Sequence, residues 1–178
     1  NAGYDVMDVV FTGVADAAIL LGEEDKESEV ILLDIGSSLT EVSSFSRGIL
    51  NDLSIIPLGA EDFKENLKDD ANFNNMIFKV RDIAEEISNR QGRLASIILT
   101  GGLSFADGTI ELLEERLFHS VRMGIARDIR GDISSLDSLK ATTALGLVAY
   151  AYDKITKEAQ EKKNIARNIS GKIIDIFN

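Results

Sequence analysis

The stretch ILLDIGSSLTEVSSF, residues 31–45, decides how this chain is read. Val30–Ile35 is an apolar run broken only by Asp34, the pattern of a buried strand. Gly36-Ser37-Ser38 makes a tight turn, and Leu39–Ser46 resumes as a second strand. Arg47-Gly48 turns the chain again into a third strand over Ile49–Pro57, so the stretch is the centre of an antiparallel meander. Asp34 closes the first strand, where a site on a sheet edge is commonly built. The N–H groups of Gly36, Ser37 and Ser38 can converge on an anion, and a carboxylate beside phosphates requires a divalent cation between them, held through water. An ordinary turn with an Asx-type hydrogen bond uses the same residues, and the stretch alone does not separate the two.

Composition narrows the classes. With 178 residues and 44% apolar content the chain can bury one good core, and no apolar run is long enough to span a bilayer. The absence of cysteine excludes disulfides, thiolate metal sites and cysteine nucleophiles, and fits a reducing compartment. His119, the single histidine, leaves no imidazole cluster and reads as a surface side chain at a helix end. A net charge of −11 argues against nucleic acid as a partner. The charge is uneven: residues 153–178 hold 6 basic and 4 acidic side chains, leaving 13 and 26 for residues 1–152. No basic region followed by an apolar core opens the chain, so no secretory signal is expected. Asn1-Ala2 in place of an initiating Met suits a piece of a longer protein.

Residues 4–11 read as a strand and 13–21 as a helix of small side chains, suited to a close crossing. The acidic residues 22–29 read as a solvated loop, and 59–92 as helical with a polar break near 68–75. A buried strand at Leu94–Leu99 ends in Thr100-Gly101-Gly102, a helix follows through Ile110, Leu113 and Leu117, and a last helix covers Leu139–Tyr152. Arg122 suits an exposed salt bridge. This order predicts an α/β domain with a mixed sheet flanked by helices. Beyond it, Ile165, Ala166, Ile169, Ile173, Ile176 and Phe177 recur at spacings of three and four, an amphipathic helix with Lys and Arg mostly off the stripe.

Thr100-Gly101-Gly102-Leu103-Ser104 is a second strand-to-turn junction. Paired glycines permit close approach of a flat ligand, and Ser104 suits a helix N-cap. Taken with DIGSSLTEV, the segment SIILTGGLSFADG at 96–108 resembles the second phosphate motif and the adenosine motif of the actin, heat-shock-protein and sugar-kinase superfamily. Within it the chain looks most like the bacterial FtsA cell-division proteins. VFTGVADAAILLGEEDKESEVILLDIG (10–36), GILNDLSIIPLGAEDF (48–63), FHSVRMGIARDIRG (118–131) and ATTALGLVAYA (141–151) match that family in order and approximate spacing. The resemblance covers about residues 4–152, and its specificity lies in the order of segments.

The resemblance implies an actin-like ATPase lobe, of the ribonuclease H-like type, over residues 3–152, with a much reduced lid near 60–77 and a C-terminal helical tail at 153–178. It implies ATP and Mg²⁺ as ligands. Asp34 would position Mg²⁺ through water and the attacking water molecule; Gly36, Ser37, Ser38 and Thr40 would cradle phosphates; Gly101, Gly102 and Ser104 would lie along the adenosine. The turn departs from the family pattern, since Ser37 and Ser38 replace glycines and Glu41 replaces an Asp. Serine tolerates positive φ poorly, so an altered phosphate approach is expected.

The first lobe's phosphate hairpin has no counterpart in residues 1–29, so a poor ATPase is expected of this chain alone, with hydrolysis only beside a first lobe. The family role is self-association into actin-like filaments and attachment of a tubulin-like division-ring protein to the membrane. Ile165, Ile169, Ile173, Ile176 and Phe177 would contact lipid, which places the protein in the cytoplasm, peripheral on the inner face of the cell membrane. Two alternatives stay open: a non-enzymatic actin-fold scaffold of type IV pilus assembly, of the PilM kind, and a degenerate interaction module without nucleotide.

Overall fold

The computed structural model describes residues 3, 5–91, 94–127 and 141–176, with residues 91, 94, 95 and 162–176 described by backbone alone. Five strands form one sheet: β1 (Glu29–Ile35), β2 (Thr40–Ser46), β3 (Ile49–Ile56), β4 (Leu94–Thr100) and β5 (Val121–Met123), in the order β3-β2-β1-β4-β5. β1, β2 and β3 are the expected antiparallel meander. β4 and β5 join parallel to β1, so the sheet is mixed.

Strand alternation sorts side chains into two cores. Ile31, Leu33 and Ile35 of β1, with Ile97 and Leu99 of β4, pack beneath α3 (Ala71–Gln91) and α4 (Thr109–Leu117). α3 presents Phe73, Met76, Val80, Ala84 and Ile87 to that core at helical spacing. Val30 and Leu32 face the other way with Phe45 and Ile98, under α1 (Thr12–Leu20). α1 is crossed by α5 (Thr142–Ile176), and the crossing is tight because Gly146 lies against the Ala15 carbonyl, where a Cβ would fall. The small residues of α1 permit this approach.

Several expectations are revised. Residues 5–11 are extended but belong to no strand of the sheet; Asp8 is instead tied to α5 through Tyr150 and Lys154. The acidic stretch after residue 22 is not a bare loop: Glu23–Lys26 forms a short helix, α2, with Asp25 buried against Arg122 at 2.6 Å and the Gly22 N–H at 2.7 Å. The salt bridge of Arg122 is therefore partly buried. Residues 60–62 and 67–69 are single 3₁₀ turns, and regular helix begins only at Ala71, where Asp70 caps it by accepting the Phe73 N–H at 2.7 Å. His119 is half-buried, its Nδ1 2.8 Å from the Leu117 carbonyl. α5 runs through residue 153 without a break. The side chains of Ile165, Ile169, Ile173 and Ile176 lie outside those described, and Phe177 lies outside the described residues altogether. Among the described residues no helix is long and apolar enough to cross a membrane.

Candidate functional site

The α1 face of the sheet is apolar at Val30 and Leu32 and turns acidic one step further along β1, where Asp34 takes the next position on the same side. Register places Asp34 opposite Glu41 on β2 and beside Thr100 on β4, so the two turn motifs end on adjacent strands. They touch: the Asp34 carboxylate and the Ile35 carbonyl occupy the space where Gly101 would carry a Cβ, and Gly101 is left-handed at φ +85°. Only glycine fits this junction. A Cβ at Gly102 would meet nothing within 4 Å, so that side of the turn is open.

The turn at 36–38 is braced from below. The Gly36 N–H donates to the Leu39 carbonyl at 3.0 Å, while the carbonyls of Gly36 and Ser37 accept N–H groups from Ala60 at 2.8 Å and Glu61 at 2.9 Å. Gly59 lies directly against the Ser37 carbonyl, with no room for a side chain. Ser37 and Ser38 are exposed, and their N–H groups donate to no backbone acceptor among the described residues. Neither serine has positive φ, so the turn carries both without backbone strain. Thr40 is fully buried and its hydroxyl donates to the Leu58 carbonyl at 2.9 Å. Ser104 is also buried, its hydroxyl donating to the Gly101 carbonyl at 2.7 Å and so bracing the glycine turn.

Two acidic residues that sequence reasoning did not place complete this end of the sheet. Glu41 reaches back to α1, where its Oε1 accepts the Gly13 N–H at 2.7 Å and the Ser43 hydroxyl at 3.1 Å. Phe11, the helix N-cap, supplies no side-chain cap, so Glu41 satisfies a first-turn donor from a neighbouring strand. Asp16, 1% exposed in α1, leaves its Oδ1 without a hydrogen-bond partner. Burial pushes the Asp16 carboxyl up to about 7, opposed by a hydrogen bond from Thr143 and assisted by the charges of Asp34 and Glu41. Asp34 is pushed up to about 6, chiefly by burial and then by Glu41. The signal for Asp16 was present as one acid in the apolar run GVADAAILL, though its convergence with Asp34 depends on how α1 crosses the sheet.

A mixed sheet of this order, with helices on both faces and paired turns ending β1 and β4, is the actin-like ATPase fold. The PilM-PilN type IV pilus biogenesis complex matches it with a TM-score of 0.61 at 17% identity, over 82% of this chain and 52% of that one. Within that class the chain is similar to cell division protein FtsA: 24% identical to the Pseudomonas aeruginosa protein over 86% of this chain and 49% of the relative, and 23% identical to that of Borreliella burgdorferi over 97% and 53%. The chain thus spans about half the length of the curated relatives it matches. No protein-family model matches it.

Proposed function

We propose that this chain is the nucleotide-binding second lobe of an FtsA-like, actin-family cell-division protein. In this reading residues 3–152 form the lobe, 60–77 stand in for its lid, and 153–178 form a tail. The observation that carries it is the Asp34–Gly101 junction, where two turns of complementary chemistry meet at the end of adjacent parallel strands. The residues fit ATP with Mg²⁺. Ser37 and Ser38 offer exposed, unpaired N–H groups to phosphate oxygens, the open flank of Gly102 accommodates a flat base, and Asp34 is a carboxylate whose ionisation a cation would favour. Among the described residues no group of three acidic or histidine side chains is placed to hold a metal ion, so the cation would keep water and phosphate ligands, as Mg²⁺ prefers. Bound ATP·Mg²⁺ would supply a phosphoryl group for transfer to water. Thr40 and Ser104 act by fixing the two turns, since both hydroxyls are committed to backbone carbonyls.

The wider role we propose is the one the family resemblance implies: self-association into filaments, attachment of a division ring, and lipid contact through Ile165, Ile169, Ile173, Ile176 and Phe177. ATP turnover by the complete gene product, compared with Asp34→Ala, tests the nucleotide claim. Turnover lost in the variant supports it. Binding without turnover in both favours a second reading, a PilM-like scaffold that holds nucleotide as a structural ligand. For the tail, liposome co-sedimentation with and without residues 160–178 decides, and equal pelleting of both forms rules lipid contact out.

A further inference from the structure

α5 carries a seam that its own lobe does not cover. From Val148 the seam runs through Tyr152, Ile155 and Ala159 to Lys162, at alternating intervals of four and three residues. The same alternation continues through Ala166, Ile169 and Ile173 to Ile176, so the repeat holds over four heptads with Lys162 its one charged member. On a lone straight helix such a repeat drifts around the axis by about 20° per heptad, whereas a packed pair of helices keeps it facing the partner. Val148, Tyr152 and Ile155 are 68, 70 and 53% exposed, and residues 157–161 are all exposed. At its lobe end the seam runs into a groove of about 690 Å³ between α1, α2 and α5, where Leu21, Leu145, Val148, Ala149 and Tyr152 form an apolar wall. The charged lining of the groove holds three acids, Glu23, Glu24 and Asp153, against Lys26 and Arg127.

A second copy of this chain fits that surface. Residues 153–178 hold 6 basic and 4 acidic side chains and residues 1–152 hold 13 and 26, so the tail of one copy is attracted to the body of another. The tail cannot fill the groove of its own lobe, because α5 is one unbroken helix from Thr142 to Ile176 and does not fold back. Set antiparallel, two copies of the seam are complementary: Val148 meets Ile173 of the second copy, Tyr152 meets Ile169, Ile155 meets Ala166 and Ala159 meets Lys162. Large side chains then lie against small ones in the middle layers, and each lysine faces an alanine. Set parallel and in register, Lys162 would meet Lys162, and like charges oppose that arrangement. A lipid surface accounts for the stripe only from Ile165 onward, whereas the seam begins at Val148, inside the lobe.

We propose that this face is a homodimer interface: α5 of two copies pairs antiparallel, and the C-terminal end of each, with Ile169, Ile173 and Ile176, lies in the groove between α1, α2 and α5 of the other. The two-fold arrangement uses the same surface on both copies, so it closes as a dimer. It goes beyond the nucleotide reading and requires neither nucleotide nor lipid. Ile169, Ile173 and Ile176 are shared with the proposed lipid contact, so a tail held in the groove is not in the membrane.

The chain has no cysteine, so an introduced one reports a single contact. Val148→Cys and Ile173→Cys versions of the 178-residue chain, mixed without nucleotide or lipid, are treated with a short thiol crosslinker. The expected product is a covalent dimer at least about ten-fold more abundant in the mixture than with either variant alone. Sedimentation equilibrium of the wild-type chain is expected to show a mass rising from 19.4 kDa toward twice that value by about 500 µM. Ile155→Glu, at an exposed position, is expected to keep the chain monomeric there with an unchanged melting temperature, and Lys162→Ile to tighten the dimer about ten-fold or more. A wild-type chain that stays monomeric at about 500 µM overturns the proposal. So does crosslinking of Val148→Cys with itself as efficient as in the mixture, which a parallel pair would give, and so does a dimer that Ile155→Glu leaves intact. Loss of nucleotide binding or of vesicle pelleting leaves both readouts unchanged, so those claims fail separately from this one.

Discussion

The Asp34 carboxylate fills the space that a side chain at Gly101 would need, and thereby joins the turn after β1 to the turn after β4. Gly101→Ala therefore meets both a left-handed backbone at φ +85° and a collision with Asp34 and the Ile35 carbonyl. It is expected to cost about 2–4 kcal/mol in urea unfolding. Gly102→Ala, with open space around it, is expected to stay within about 1 kcal/mol of wild type. Equal costs for the two would contradict the junction as described.

Asp16 and Asp34 hold their protons more tightly in the folded chain than in the unfolded one, with values raised to about 7 and about 6. Between about pH 4 and pH 7 the folded state therefore binds more protons, and these two groups make stability fall as pH rises through that window. Asp16→Asn removes one contribution. It is expected to match wild type near pH 4 and to exceed it at pH 8 by on the order of 3 kcal/mol in denaturant titrations. A difference that does not grow with pH would show that Asp16 is not held protonated by its surroundings.

Gly146 lies where α5 crosses α1, and a Cβ there would fall on the Ala15 carbonyl, with the Asp16 nitrogen 3.1 Å away. Gly146→Ala is expected to lower stability by about 1–3 kcal/mol, as overpacking does. Leu147→Ala, one residue on and 46% exposed, is the control and should change the melting temperature little. Tolerance of alanine at 146 would mean that the crossing is looser than its geometry.

Arg122→Ala leaves the Asp25 carboxylate, 6% exposed, without its charged partner. Because the guanidinium is itself one-third exposed, the cost is expected near 1–3 kcal/mol, below that of a fully buried pair. Adding Asp25→Asn should recover part of the loss, since an amide needs no counter-charge and its oxygen can still accept the Gly22 N–H. A double variant as unstable as the sum of the two single ones would assign Arg122 a different role.

The meander and the two turns were legible because local chemistry specifies them: an apolar run ending at Asp34, a glycine pair after Leu99, and turn residues at 36–38 and 47–48. The parallel pairing of β1 with β4 was not readable from periodicity, because it joins strands that a long helical segment separates in the chain. Asp16 escaped notice, and Glu41 was seen only as a departure from the family turn, because their meeting depends on a helix laid across the sheet, which no local pattern encodes. Residues 5–11 have the pattern of a strand and lie extended, but a strand pattern does not say which sheet it joins. The helical reading from residue 59 failed for a physical reason: the chain there is occupied in bracing the Gly36 and Ser37 carbonyls, which holds it in a single 3₁₀ turn before Asp70 can start α3.

The central claim is that the junction of Asp34 and Gly101 holds a nucleotide through a cation. Titration calorimetry of ATP into the complete gene product, with and without Mg²⁺, compares wild type with Asp34→Asn most directly. Wild type is expected to bind at least about ten-fold more tightly with Mg²⁺ than without, and the variant to lose that Mg²⁺ dependence while unfolding no earlier than wild type at pH 8. Equal, Mg²⁺-independent affinity in both proteins, or no binding in either, would contradict the account.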